Sequence, residues 1–143
     1  MFATQENFGQ FQNLTIEHYT SFCPVTVTLE TDLHSVELMM EENNIRHIPV
    51  VSEQKAIGII SQRDILTIKF LKEKNLLTAE DIMQKEIYVV NLNDLIVDVA
   101  FELSNKKIGS AIVNDHSGKI IGIFTVTDAL NALIEVIRGE VIN

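Results

Sequence analysis

The chain has 143 residues, of which 46% are hydrophobic and 22% charged, and carries a net charge of −9. That is enough for one compact domain or two small units sharing a core, and too apolar for wholesale disorder. The acidity sets the chain against phosphate backbones, so general nucleic-acid binding is not expected. No apolar run approaches the ~20 residues of a membrane helix. The opening MFATQENFGQFQN lacks the basic and apolar regions of a signal peptide. One cysteine, Cys23, cannot close an internal disulfide. A cytoplasmic protein without a membrane role is the expectation.

Taken in chain order, VTVTL (25–29) is β-branched and predicts a strand. LHSVELMM (33–40) spaces its apolar residues at i, i+3 and i+7, which predicts an amphipathic helix with Thr31 as N-cap. HIPVV (47–51) reads as a strand, with Pro49 marking an edge or an irregular start. SEQKA (52–56) reads as a hairpin turn and IGII (57–60) as the returning strand. DILTIKFLKEK (64–74) reads as a closing helix, with Lys69, Lys72 and Lys74 on its exposed side. The same order then repeats. YVVNL (88–92) is a strand and LIVDVAFEL (95–103) a helix capped by Asp94. SAIVN (110–114), the turn DHSGK (115–119) and IGIF (121–124) form a hairpin. DALNALIEVIRG (128–139) is a helix closed by Gly139.

The repetition is in the letters as well as the pattern. LTIEHYTSFCPVTVTL (14–29) lies on LTAEDIMQKEIYVVNL (77–92), a shift of 77 − 14 = 63. Leu33, Val36 and Met40 keep that shift onto Ile96, Val99 and Leu103. One residue inserted near Gly118 makes the shift 64, after which KAIGIISQRDIL (55–66) lies on KIIGIFTVTDAL (119–130). Neither unit need bury its apolar face alone. The expected fold is α/β, two pseudo-twofold-related β-α-β-β-α units packed into one module. The expected divisions are a tail at 1–13, a first repeat at 14–76, a second at 77–138 and a tail at 139–143.

GIISQRD (58–64) and GIFTVTD (122–128) carry the chemistry. Each places a hydroxyl, Ser61 or Thr125, where a strand turns into a helix, and an acid, Asp64 or Asp128, three residues later. That is the layout of a capping box, which contributes about 1 kcal/mol. The same place offers unpaired N–H groups to a phosphate, a hydroxyl donor, and a carboxylate able to accept both hydroxyls of a ribose. Gly58 and Gly122 allow a ligand or another backbone to approach closely. Arg63 stands in the first helical turn, against the macrodipole, where a bound anion or Asp64 would offset the cost. His18, His34, His47 and His116 are scattered and suggest no metal site. GIISQRD is not a nucleophile elbow, so no catalytic residue is assigned. The chain is not expected to be an enzyme.

The twofold repeat, the IRHIPVV stretch (45–51), the DIMQKEIYVV stretch (81–90) and the G-h-h-[ST]-x-x-D phrase together resemble tandem CBS domains, the pair called a Bateman module. The resemblance covers residues 14 to 138 and extends to bacterial stand-alone CBS-pair proteins, including those near acetoin-utilisation operons. It implies a regulatory module that binds AMP, ADP, ATP or S-adenosylmethionine between the repeats and passes occupancy to a partner protein by a change of shape. It also implies a homodimer, to which the apolar Leu130, Leu133, Ile134, Val136 and Ile137 of the last helix would contribute. Carried over by motif, the first cleft would use Arg46, His47, Ser61, Arg63 and Asp64, with the base near Ile87, Tyr88 and Val89. The weaker second would use Thr125, Thr127 and Asp128, with Val25 and Thr26 near the base. It has Gly109 and Ser110 where the first has Arg46 and His47, and Thr127 in place of Arg63, so it lacks the cations. HYT (18–20) in place of DIM (81–83) leaves the first copy's lead-in degenerate. The alternative is a non-catalytic structural or oligomerisation adaptor whose ligand sites have decayed. Phe2, Phe8 and Phe11 would belong to a frayed N-terminus.

Overall fold

In the computed structural model, residues 9, 12–68, 70–71 and 76–140 are described. Lys69, Lys72, Lys74, Phe2, Phe8 and Phe11 lie outside them. A 3-10 turn at Ile16–Tyr19 precedes β1 (Ser21–Phe22), α1 (Leu33–Asn43), β2 (His47–Ser52), β3 (Lys55–Ser61) and α2 (Gln62–Ile68). The second copy supplies α3 (Ala79–Ile82), β4 (Val89–Val90), α4 (Ile96–Lys106), β5 (Ser110–Asn114), β6 (Ile120–Thr125) and α5 (Val126–Arg138). The fold is α/β and made of two like units, as expected.

The helices form for the reasons the pattern gave. Leu33, Val36 and Met40 of α1 and their counterparts Ile96, Val99 and Leu103 of α4 are all buried. Both helices end on a left-handed residue, Asn44 at φ 52° and Lys107 at φ 56°. Gly139, at φ 70°, ends α5 in the same way. The N-caps sit one residue later than expected. Asp32 caps α1, accepting from the Ser35 N–H at 2.8 Å, and Leu95 precedes α4 without a side-chain cap. Thr31 and Asp94 are used one step earlier, accepting from the N–H groups of Thr28 and Asn91 and closing the turns that lead into the helices.

The predicted strands at 25–29 and 88–92 shrink to a single parallel bridge, Val27 to Val50, and to the two residues of β4. The hairpins hold. Glu53 and Gln54 turn the first at positive φ, and Gly118, at φ 88°, helps turn the second. Pro49 lies inside β2, where its carbonyl accepts from the Val27 N–H at 3.0 Å. Its missing N–H faces the same side, which carries only the bridge at Val27 and leaves no ladder bond unmade.

The two copies exchange their lead-in segments. β1 of the first copy pairs with β6 of the second, giving a sheet in the order β1-β6-β5-β4. Gln84 of the second copy pairs in the same way with Ile59 of β3. The Ile16 N–H donates to the Asp94 carbonyl at 3.0 Å, and its counterpart Ala79 donates to Thr31 at 2.8 Å. Each core is therefore built from both copies. Leu14 and Ile16 are buried with Val99, Phe124 and Val136. Ala79 is buried with Val36, Ile48 and Ile60, and Leu77, Ile82 and Met83 pack beside it.

The two phrase glycines serve this exchange. A β-carbon on Gly58 would collide with Sδ of Met83, and one on Gly122 would lie 2.5 Å from Cγ2 of Thr20 and 2.9 Å from the Ser21 carbonyl oxygen. What approaches closely is the other copy's lead-in segment.

Candidate functional site

The first cleft is assembled where β2 begins and β3 ends. His47 stands opposite Ser61 in the antiparallel ladder, and the Arg46 carbonyl accepts from the Gln62 N–H at 2.8 Å. That pairing sets Arg46 and His47 beside the first turn of α2, which carries Arg63 and Asp64. Arg46 and Arg63 are exposed, and neither makes an ion pair with another described residue.

Asp64 is held on both oxygens. Its Oδ2 accepts from the Ser61 N–H at 2.8 Å and the Ser61 hydroxyl at 3.0 Å. The Ser61 Oγ accepts from the Asp64 N–H at 3.2 Å. Gln84 of the other copy donates from Nε2 to Oδ1 at 3.2 Å. Sequence reasoning missed Gln84, whose place in this cleft depends on its pairing with Ile59 of β3.

The His47 imidazole is pushed below its ordinary value. Burial is the largest cause, the charges of Arg46 and Arg63 add to it, and Asp64 opposes it. The burial comes from the second copy, because a β-carbon on Gly109 would collide with Nε2 of His47 and lie 2.7 Å from Cε1.

The second cleft repeats the geometry without the cations. Asp128 Oδ2 accepts from the Thr125 N–H at 2.8 Å and hydroxyl at 3.1 Å. The Val126 N–H donates to the Gly109 carbonyl at 3.1 Å, matching Gln62 and Arg46. Thr127 is exposed and Ser110 buried. Burial pushes the Asp128 carboxyl up, against the bonds from Thr125 that hold it down. A cavity of about 600 Å³ opens here, between the 3-10 turn and α5, lined by His18, Tyr19, Asp128, Asn131, Ile134, Glu135, Arg138 and Glu140. Across it the Tyr19 hydroxyl donates to Glu135 Oε2 at 2.5 Å. Burial and that acidic partner push the Tyr19 phenol up to about 12.

The residues expected beside the ligand bases lie on more than one face. The Tyr88 ring packs against the second core beneath Lys106, whose Nζ is 4.7 Å from the ring centroid. Strand residues alternate faces, so Ile87 and Val89 are parted from it. Val25, the counterpart of Tyr88, packs on the first core in the same way, while Thr26 is half-buried beside it. Tyr88 and Val25 thus rest on their own cores and stay part-exposed. Among the described residues no cluster of His, Cys, Asp and Glu is arranged to hold a metal, and no helix is long and apolar enough to cross a membrane.

The sequence pattern of the CBS domain matches residues 17–70 and again 79–135. The chain belongs to the CBS domain family. It is a tandem pair of CBS domains. The CBS pair of protein MJ0100, solved with 5′-methylthioadenosine and S-adenosyl-L-methionine, is similar at 25% identity and a TM-score of 0.77, over 84% of this chain and 95% of that one. An acetoin utilization protein (AcuB) from Vibrio cholerae is similar at 25% identity and a TM-score of 0.76, over 91% of this chain and 98% of that one. A homoserine O-acetyltransferase from Methanosalsum zhilinae is 30% identical over 127 residues, which is 88% of this chain and 25% of that protein. The chain spans about a quarter of the length of the curated enzymes it matches.

Proposed function

We propose that this CBS pair senses an adenosine derivative, AMP, ADP, ATP or S-adenosylmethionine, bound between the repeats. The observation that carries the reading is the first cleft itself. Two arginines without acidic partners among the described residues, a half-buried histidine, a hydroxyl and a carboxylate converge there, and Gln84 of the other copy reaches in. Guanidinium groups suit phosphate, and Asp64 suits a ribose diol once Gln84 gives way. The adenosine-type ligands of the MJ0100 pair support the ligand class. The first cleft is read as the stronger phosphate site, with Arg46, His47, Ser61, Arg63 and Asp64 holding the ligand beside Ile87 and Val89. The second, with Thr125, Thr127 and Asp128 near Thr26, is read as the weaker.

Occupancy would reach a regulated partner through the lead-in segments, since a ligand displacing Gln84 acts on a residue bound to β3 by two backbone bonds. A homodimer in the cytoplasm is part of the reading. Leu130, Leu133, Ile134 and Ile137 are exposed on α5 and supply an apolar face for it. Light scattering at micromolar concentration checks it, and a monomer mass would refute it.

Thermal unfolding against AMP, ADP, ATP, S-adenosylmethionine and a GTP control tests the function. Ligand at 100 times its dissociation constant adds about 2.7 kcal/mol. A selective rise, lost in Arg63→Ala with Asp64→Ala, is the expected result. A rise lost only on changing Thr125 and Asp128 would reverse the ranking of the clefts.

One observation favours the adaptor reading. A third hydroxyl-x-x-Asp box, Thr78 with Asp81, caps α3 with the same bonds, 2.9 Å and 3.1 Å, and lies outside both phrases. The pattern can therefore serve capping alone. No shift with any of the ligands is the outcome that reading expects.

A further inference from the structure

We propose that filling the first cleft with a phosphate-bearing ligand loads a proton onto His47, so that the module reads ligand and pH together. The inference rests on the nucleotide-site reading above and concerns its regulation.

The geometry isolates the imidazole among groups that all respond to an anion. Arg46 precedes it in the chain with its carbonyl bonded to the Gln62 N–H, Arg63 and Asp64 lie on the first turn of α2, and Ser61 stands opposite it in the ladder. From the second copy the hollow at Gly109 receives it, with uncharged Ser110 next in sequence. No hydrogen bond joins the half-buried imidazole to another described residue. In the free protein burial, with the two guanidinium charges, holds the imidazole below its ordinary value, against the single charge of Asp64.

A phosphate group between Arg46 and Arg63 reverses that balance. It cancels the two positive charges and places acceptor oxygens around a neutral ring that has only one N–H to give. Protonation turns the second nitrogen into a charge-assisted donor. The second copy of the chain cannot do the same, because Ser110 stands in place of His47.

Linkage fixes the sign. A ligand that raises the proton affinity of His47 must bind more tightly as pH falls, by roughly tenfold for each unit the imidazole is raised. The window opens at the free-state pKa, which lies below the ordinary imidazole value, and closes at the ligand-bound one.

The test follows the His47 imidazole by NMR in the full chain between pH 5 and 8, assigned by its loss in His47→Gln. It is run free, with saturating AMP, and with adenosine as the phosphate-free control. The expected result is a titration midpoint that rises by about a unit or more with AMP and stays put with adenosine. Calorimetry should show AMP affinity rising about tenfold from pH 8 to pH 6. His47→Gln should bind AMP more weakly at every pH and lose that rise, leaving only the phosphate's own titration. AMP binding that depends on Arg63 with an unmoved His47 midpoint overturns the proton linkage and leaves the nucleotide reading standing. No AMP binding by either method overturns both. Binding that depends on Asp128 and not on Arg63 overturns the assignment of this cleft, and the linkage with it.

Discussion

The two copies are folded alike and finished differently. Their cores share a buried framework, with Leu33, Val36 and Met40 on Ile96, Val99 and Leu103. Where the first core has Ile60 the second has Phe124, at 124 − 60 = 64. The differences gather where the copies meet. Asp81 completes a capping box with Thr78, while its counterpart His18 leaves Thr15 without a side-chain cap, and the lead-in there is a 3-10 turn. Arg46, His47 and Arg63 have become Gly109, Ser110 and Thr127. Packing has held the repeat fixed, and the clefts have been free to diverge.

The comparison can be broken at its core first. Phe124→Ala should cost about 3–5 kcal/mol and Ile60→Ala about 2–5 kcal/mol. Because each core holds residues of both copies, either change should lower one shared thermal transition. Two separated transitions would show that the halves unfold independently.

The glycines come next. An added methyl at Gly122 meets the Ser21 carbonyl at 2.9 Å as well as Thr20, whereas at Gly58 it first meets Sδ and Cγ of the flexible Met83 side chain and the Gln84 carbonyl only at 3.1 Å. Gly122→Ala should cost about 1–3 kcal/mol and Gly58→Ala less, by denaturant unfolding. Equal costs would mean that the two junctions are equally rigid.

The caps sharpen the contrast further. Thr78→Ala should lose about 1 kcal/mol and Thr15→Ala only a few tenths, since only the first removes a capping box. The smallest effects are those of pH, and they are opposite in sign. The lowered His47 makes acid destabilising, with stability falling as pH drops through the unfolded-state value of 6.5. His47→Gln should flatten that fall. The raised Asp128 works the other way. Its stabilisation is present in acid, once the carboxyl is protonated, and is lost as pH rises through its folded-state pKa. Midpoints from pH 5 to 8 compared with pH 3 to 5 separate the two.

Much of this was legible in the letters. The repeat gave the α/β units, the three buried positions of each long helix, both hairpins and the capping geometry of Ser61 with Asp64. The N-caps were read one residue early because Thr31 and Asp94 are good acceptors spent on the preceding turn. The strands at 25–29 and 88–92 were overread. β-branched residues report a half-buried surface, and here only one or two of them find ladder partners. Tyr88 and Val25, expected beside the ligand bases, also rest on their own cores, a matter of face that a one-residue alternation decides. The resemblance set each copy's lead-in against the other's cleft, but the exchange itself, the backbone pairing of 84 with 59 and 21 with 123 across the chain, was not readable. Gln84 was lost with it.

That exchange has a consequence for how such a chain could arise. A single copy, folded alone, would leave one side of its hairpin unpaired and would lack the lead-in residues that complete its core. Two identical copies could supply each other with both. Joining them end to end adds no contact. It replaces a bimolecular encounter with an effective concentration set by the tether, in the millimolar range for a short flexible one. Once the partner is guaranteed, the copies need no longer be the same. One cleft can then keep its arginines while the other loses them.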